Sequence, residues 1–429
     1  MTVGRRAEVL EEMFRSAGAL QTAEAELQAK LRSRGILFGD GLLPTYAYAF
    51  VTSRDTVRRW AGQAELLIEA AEHLSRRLLS ETSFYEAMGL GQDAVELISV
   101  NPGYQRNCVL CRPDGIPVGS ELKFVELNCD SPAMMSFLDI VAECLLELDA
   151  FSSFGGAAKP ISASDRLFDT LLACYREYGG KNAAPTIAIT DWEGQKTRYE
   201  HARLAEHFEA RGAPTIVCDP RAFHLVDGEL RVKGRRVDLV YRRALASEII
   251  ERQTEVEPLL KAYRDGTICM VNPLRSYVAG AKSVLSHLAL APDLPAALSG
   301  AAKLVPRTVL LDNEDARATV KATSTRWALK KSESHGGMNV ILPGISTEAA
   351  WHQALEASRR EVWIAQEYLE VPRMELPVVD AGSIAWSEKY YNWNPFVFGG
   401  QYAGGLVRVS STPLINITLG GGLMPTFTS

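Results

Sequence analysis

Apolar residues near the start of the chain recur at three- and four-residue spacing. Val9, Leu10, Met13, Phe14, Ala17 and Leu20 predict a helix over residues 5–31. An irregular Gly-Asp-Gly-Leu-Leu-Pro and a short aromatic run at 46–51 follow, and Ser53 and Asp55 are N-cap candidates for a second long helix to about residue 80. The period then shortens to two. Residues 106–111 and 122–128 read as strands with Pro113-Asp114-Gly115 as the turn between them, and Asp130-Ser131-Pro132 leads into a helix carrying Phe137, Leu138, Val141 and Leu145.

Residues 152–162, with Gly155-Gly156, form the best linker candidate, and Ser164-Asp165 can cap the helix after it. Unbroken apolar runs at 186–190, 215–218, 237–241 and 267–271 alternate with helical segments such as 198–211, and a hairpin is expected at Asp227-Gly228. That alternation predicts a mainly parallel sheet covered on both faces. A helix carrying Lys282 follows Asn272-Pro273. The last third is antiparallel in texture: strand 326–331, polar turn 332–337, strand 338–342, helix 347–360, strand 362–369, then strands rich in glycine and aromatics. The expected division is a helical region at 1–96, segments at 97–150 and 163–300, and a C-terminal part at 301–429.

At 429 residues the chain exceeds one ordinary core, so two or three lobes are expected. A net charge of −6 with scattered Lys and Arg excludes a phosphate-tracking nucleic-acid surface. No apolar run approaches the roughly 20 residues needed to span a bilayer, and the first residues lack an apolar signal core. A cytoplasmic protein with no membrane partner is expected. The seven cysteines follow no secreted-domain pattern. Cys108 and Cys111 make a C-x-x-C without a second pair at zinc spacing, and period-two alternation puts them on opposite strand faces, so reduced structural thiols are expected.

Within residues 122–128, Glu126 and Asn128 alternate onto one face, giving two hard oxygen donors of the kind Mg²⁺ accepts. Downstream, residues 327–331 deliver Lys330 beside a turn containing Gly336 and Gly337. Their N–H groups can approach phosphate oxygens closely while the lysine neutralises them, although no Walker A motif exists. The strand Ile-Ala-Gln-Glu-Tyr-Leu at 364–369 turns polar at its end and can present its backbone, with Glu367, to an adenine edge.

Lys282, then Pro306-Arg307-Thr308, then Leu329-Lys330 with the Gly-Gly turn, then Gln366-Glu367-Tyr368, is the order of elements in the nucleotide-binding part of ATP-grasp enzymes. Here Arg106 and Glu126-Leu127-Asn128 come first instead of last. The chain therefore resembles the circularly permuted ATP-grasp ligases, a group that includes glutathionylspermidine-synthetase-like proteins and peptide ligases. The resemblance covers roughly 35–429. It implies an α/β fold of α+β lobes, a permuted ATP-grasp with an inserted parallel α/β (pre-ATP-grasp-like) domain and a helical N-terminal region.

It further implies that Lys282 and Lys330 hold the phosphates of ATP, that Gly336 and Gly337 form a lid, and that Gln366, Glu367, Tyr368 and Leu369 frame the adenine. Glu126 and Asn128 would bind Mg²⁺, and Arg106 and Arg408 would stabilise the transferring phosphoryl group. Ser131, Arg242, Arg243 and Asn416 are the substrate-facing candidates. One departure stands out: the family carries Asp two residues after the arginine, and this chain has Cys108, a poor ligand for Mg²⁺. Asp114 or Asp130 can substitute; an alternative alignment on Arg112-Pro113-Asp114 places the motif in the expected turn.

The implied reaction joins a small-molecule carboxylate to an amine (amino acid, peptide or polyamine) through an acylphosphate, releasing ADP. A phosphotransferase on the same fold, or a nucleotide-binding pseudoenzyme motivated by Cys108, are the alternatives. A homodimer is the default assembly.

Overall fold

The computed structural model describes residues 16–149, 151, 160–290, 294–334 and 338–428. Residues 5–15 of the expected 5–31 helix, Gly155-Gly156 of the linker and the Gly336-Gly337 lid, with His335, lie outside the described residues. The first helix seen is Ala17–Ser33, capped by the Ser16 hydroxyl. Ser53 caps the long helix Arg54–Leu78 by accepting from the Thr56 N–H at 3.0 Å. The 163–177 helix takes its cap from Ser162 rather than from Ser164-Asp165, because Ser162 Oγ accepts from Asp165 N.

Three sheets organise the described residues. In the α/β part, Cys269–Val271, Leu239–Arg242, Ile187–Thr190 and Thr215–Cys218 lie side by side, all parallel. Their residues are nearly all buried, as unbroken apolar runs require. A four-stranded antiparallel sheet runs Thr308–Leu310, Trp363–Glu367, Trp327–Lys331, Val340–Ile341. The seven-stranded sheet brings distant parts of the chain together. Leu110–Val118 pairs with Glu121–Asn128 on one side and with Ser383–Phe398 on the other, and Gln401–Ser410, Gly422–Thr428 and Phe50–Thr52 continue the sheet.

The turn expected at Pro113-Asp114-Gly115 is not there. Those residues lie within the strand Leu110–Val118, and the chain reverses between Val118 and Glu121. Local turn propensity loses to pairing on both sides of a central strand. The register shifts between Asp114 and Gly115, leaving Val125 outside the ladder as a bulge. A Cβ at Gly115 would stand 2.6 Å from the Trp393 carbonyl oxygen, so the close approach at the bulge needs glycine.

Candidate active site

Pairing of the two strands puts Arg112 opposite Asn128 and Asp114 opposite Glu126. Alternation turns all four toward one cleft. Asn128 Nδ2 donates to Asp114 Oδ1 at 3.1 Å, and Arg408 Nη2, from the Gln401–Ser410 strand, donates to Asp114 Oδ2 at 2.6 Å. Arg112 Nε stands 3.7 Å from Asp114 Oδ1 while its Nη1 donates to the Ala133 carbonyl at 2.8 Å. Burial, with repulsion from Arg408, pulls the Arg112 guanidinium below its ordinary value despite the attraction of Asp114 and Glu126. Arg106, with Cys108 where the family has Asp, was the first expectation for the motif; Arg112 and Asp114, the alternative alignment, are the pair that lines this cleft.

Arg106 is not brought to this cleft. Its Nη2 pairs with Glu69 at 2.7 Å, and it lines a separate depression with Tyr104, Glu177 and Gln401. Cys108 precedes the strand and is fully buried with Cys111 and Cys129. The expectation that Cys108 and Cys111 face apart fails because alternation begins only at Leu110.

The four-stranded sheet supplies the opposite wall. Lys330 Nζ donates to Gln366 Oε1 at 2.7 Å and crosses to the Val125 carbonyl at 2.9 Å, the carbonyl that the bulge leaves outside the ladder. Gln366 Nε2 donates to Thr308 Oγ1 at 3.1 Å, holding the amide in place. Lys282, expected on a helix, is buried in the turn between Ser276–Gly280 and Val284–Leu290. Its Nζ lies 3.0 Å from Glu126 Oε1 and donates to the Ser334 carbonyl. Burial first, then the neighbouring Lys282 charge, lowers Lys330 to about 8 against the pull of Glu126 and Asp114.

Two cavities meet here. One, of about 110 Å³, is lined by Val125, Lys330, Gln366, Tyr368 and Leu369. Its apolar side belongs to a small cluster of Ile116, Val371 and Ile415, with Leu369 and Val125 packed on it. Glu367 also borders it while accepting from Arg326 Nε at 3.0 Å. The other, of about 550 Å³, is lined by Arg112, Asn128, Met134 and Lys196. Asp114, Glu126, Arg408 and Asn416 line both. Asn416 Oδ1 accepts from the Thr418 N–H at 2.7 Å.

Ser131, Arg242 and Arg243 belong to a seam instead. Ser131 Oγ donates to the Arg243 carbonyl at 2.6 Å. Arg243 is buried against the Pro132 carbonyl and the Tyr241 hydroxyl. Arg242, with no exposed side-chain surface, bonds Asp130. These groups tie the segment after Asn128 to the parallel sheet, and the structure places none of them in the walls of the two cavities.

A cleft between two antiparallel sheets, with Lys330 on one wall and paired carboxylates on the other, is the arrangement of an ATP-grasp-type protein. Residues 155–410 match the family model described as circularly permuted ATP-grasp type 2, and the chain belongs to that family. Its fold is similar to that of a glutathione synthetase-like effector from Globodera pallida, with a TM-score of 0.63 at 12% identity over 96% of this chain and 97% of that one. Partial overlaps include a RimK-domain ATP-grasp protein from Sphaerobacter thermophilus, at TM-score 0.30 and 16% identity over 55% of this chain and 93% of that one. Comparison with curated protein sequences gives no match.

The donor set fits magnesium. Asp114, Glu126 and Asn128 offer hard oxygens from adjacent strands, the ligand chemistry Mg²⁺ accepts alongside phosphate and water. The cleft also fits a polyanion. Lys282, Lys330, Arg112 and Arg408 outnumber Asp114 and Glu126, and each of the four cations is buried.

Proposed function

We propose that the protein is an ATP-dependent ligase that joins a carboxylate to an amine through an acylphosphate, releasing ADP and phosphate. The observation that carries this reading is the surplus of buried positive charge, in which Lys330 is driven down to about 8, beside three oxygen donors on paired strands. Buried cations without enough counter-charge are costly, and a bound polyphosphate with its metal supplies what is missing.

In this reading Lys282 and Lys330 bind the phosphates, and the Gln366–Leu369 segment with Ile116 and Val371 encloses the adenine. Asp114, Glu126 and Asn128 hold Mg²⁺, which when bound neutralises phosphate charge and polarises the transferred group. Arg408 and Arg112 flank Asp114 and face the larger cavity, where they orient the acid's carboxylate toward the γ-phosphate and stabilise charge there. That carboxylate attacks phosphorus, ADP leaves, and an amine entering the larger cavity displaces phosphate from the acyl carbon. The cavity's volume is within the range of small-molecule sites. Asp114 opposite Glu126 supports turnover over nucleotide binding alone, since the carboxylate that Cys108 lacks is present directly across the strand pair from Glu126.

The test begins with thermal melting in a non-hydrolysable ATP analogue, with and without Mg²⁺, on the native protein and Lys330→Ala. A saturable Mg²⁺-dependent rise that the substitution abolishes supports the site; no rise at millimolar nucleotide removes the reading. ADP release is then measured across paired acids and amines. Amine-dependent release is expected, and a phosphorylated product that survives excess amine would replace the ligase by a phosphotransferase.

A further inference from the structure

On the opposite side of the strand pair from the cleft, three thiols meet. Cys111 and Cys129 are the next residues beyond the paired Arg112 and Asn128, so alternation turns them away from the cleft. Cys108, from the segment entering the first strand, joins them. All three are fully buried, and their sulfurs lie within 4.8 Å of one another. No other group of three or more ligating side chains stands this close among the described residues. The remaining cysteines, Cys144, Cys174, Cys218 and Cys269, are buried and free without forming such a group.

We propose that Cys108, Cys111 and Cys129 form a three-sulfur site for a soft d¹⁰ cation, structural in character and separate from the magnesium site. Metal–sulfur bonds of about 2.3 Å hold sulfurs roughly 4 Å apart, and the three sulfurs already lie within 4.8 Å of one another. Thiolates select zinc and monovalent copper over the hard ions that the cleft on the other face would take. Three donors in a dry core complete a trigonal ion, whereas zinc ordinarily adds a fourth, so the geometry favours copper. Each ligating thiol releases its proton on binding. With no exposed surface at the trio, the ion enters as the chain folds, and the occupied site clamps the two strands that carry Arg112, Asp114, Glu126 and Asn128.

The whole chain is purified anaerobically, without chelator, from cells supplemented with copper or zinc. Its metal content, its free thiols under denaturation and its X-ray absorption at the metal edge are then measured. Stoichiometric metal with three sulfur neighbours at about 2.3 Å is expected; the edge at which it appears distinguishes monovalent copper from zinc. Cys111→Ala loses this loading, whereas Cys218→Ala, outside the trio, retains it. Metal absent from both preparations with all thiols free, a first shell of oxygen or nitrogen, or a Cys111–Cys129 disulfide overturns the proposal. The absorption measurement uses the native chain, so it decides even if Cys111→Ala fails to fold. Nucleotide binding is read separately, so this proposal and the ligase reading can fail independently.

Discussion

Lys282 Nζ stands 3.0 Å from Glu126 Oε1, and the lysine side chain is 2% exposed. The group best placed to meet a phosphate is thus paired with a group best placed to meet a metal. In the proposed site, binding Mg²⁺ and nucleotide together would exchange this contact for two new ones, Glu126 to the metal and Lys282 to phosphate. Glu126→Gln should therefore separate the two ligands. Nucleotide alone should still raise the melting temperature, while the further rise on adding Mg²⁺ should vanish; in the native protein, Mg²⁺-nucleotide at about 100 times Kd contributes about 2.7 kcal/mol. An undiminished Mg²⁺ increment in the variant would take Glu126 out of the metal site.

Lys330 gives a pH dependence with a definite sign. Burial and Lys282 hold it at about 8 in the folded protein, below its ordinary 10.5. Between those values the unfolded chain binds more protons than the native one, so this group makes the free protein more stable as pH rises through the window. With Lys330 binding phosphate as proposed, nucleotide binding would run the other way, because phosphate needs the ammonium. Affinity should be flat below about 8 and fall above it, toward about tenfold per pH unit. Lys330→Arg, which does not titrate there, should flatten the profile in a calorimetric titration; an unchanged fall would assign it to another group.

The parallel α/β sheet was legible because buried strands leave continuous apolar runs, and 215–218 matches its strand residue for residue. Glu126 and Asn128 were legible as two oxygens on one face because alternation is a local property. Arg112 and Asp114 were visible as R-x-D spacing, yet Pro113 and Gly115 beside them read as a turn. Only the neighbouring strand Ser383–Phe398, some 280 positions downstream, makes that segment a central strand. The same long-range closure buries Lys282, which looks solvated from its own neighbours. Arg242 and Arg243 were substrate-facing candidates through the resemblance, not through any local signal; their partners come from Asp130 and Pro132, more than a hundred residues earlier.

Arg112 and Arg106 offer a direct contrast between the motif as spaced in sequence and as assembled in space. Arg112 reaches toward Asp114 in the cleft; Arg106 is held by Glu69 away from it. Arg112→Ala should lower turnover by about 10²–10³, the usual consequence of removing one charge-stabilising donor. It should leave the thermal shift with nucleotide largely intact. Arg106→Ala should spare turnover to within a few-fold. Steady-state ADP release on both variants checks this, and the reverse ranking would restore Arg106 to the reacting centre.

Arg242 separates a substrate role from a structural one. Its guanidinium, without exposed surface, donates to Asp130 Oδ1 at 2.5 Å, to the Asn272 carbonyl at 3.1 Å and to Ser276 Oγ at 3.1 Å. Asp130 in turn accepts from the Ala246 N–H through Oδ2 at 2.8 Å. The carboxylate two residues past Asn128 is thereby fixed to the parallel sheet and to the helix that follows it. Arg242→Met would remove the guanidinium that faces the buried Asp130 carboxylate, at a cost of roughly 3–5 kcal/mol. Adding Asp130→Asn should recover part of that, because a neutral amide needs no counter-ion. Denaturant unfolding of the single and double variants measures both effects. If Arg242→Met instead left stability unchanged and raised only the KM for the acid, Arg242 would be a substrate ligand and the seam between the sheets would need another explanation.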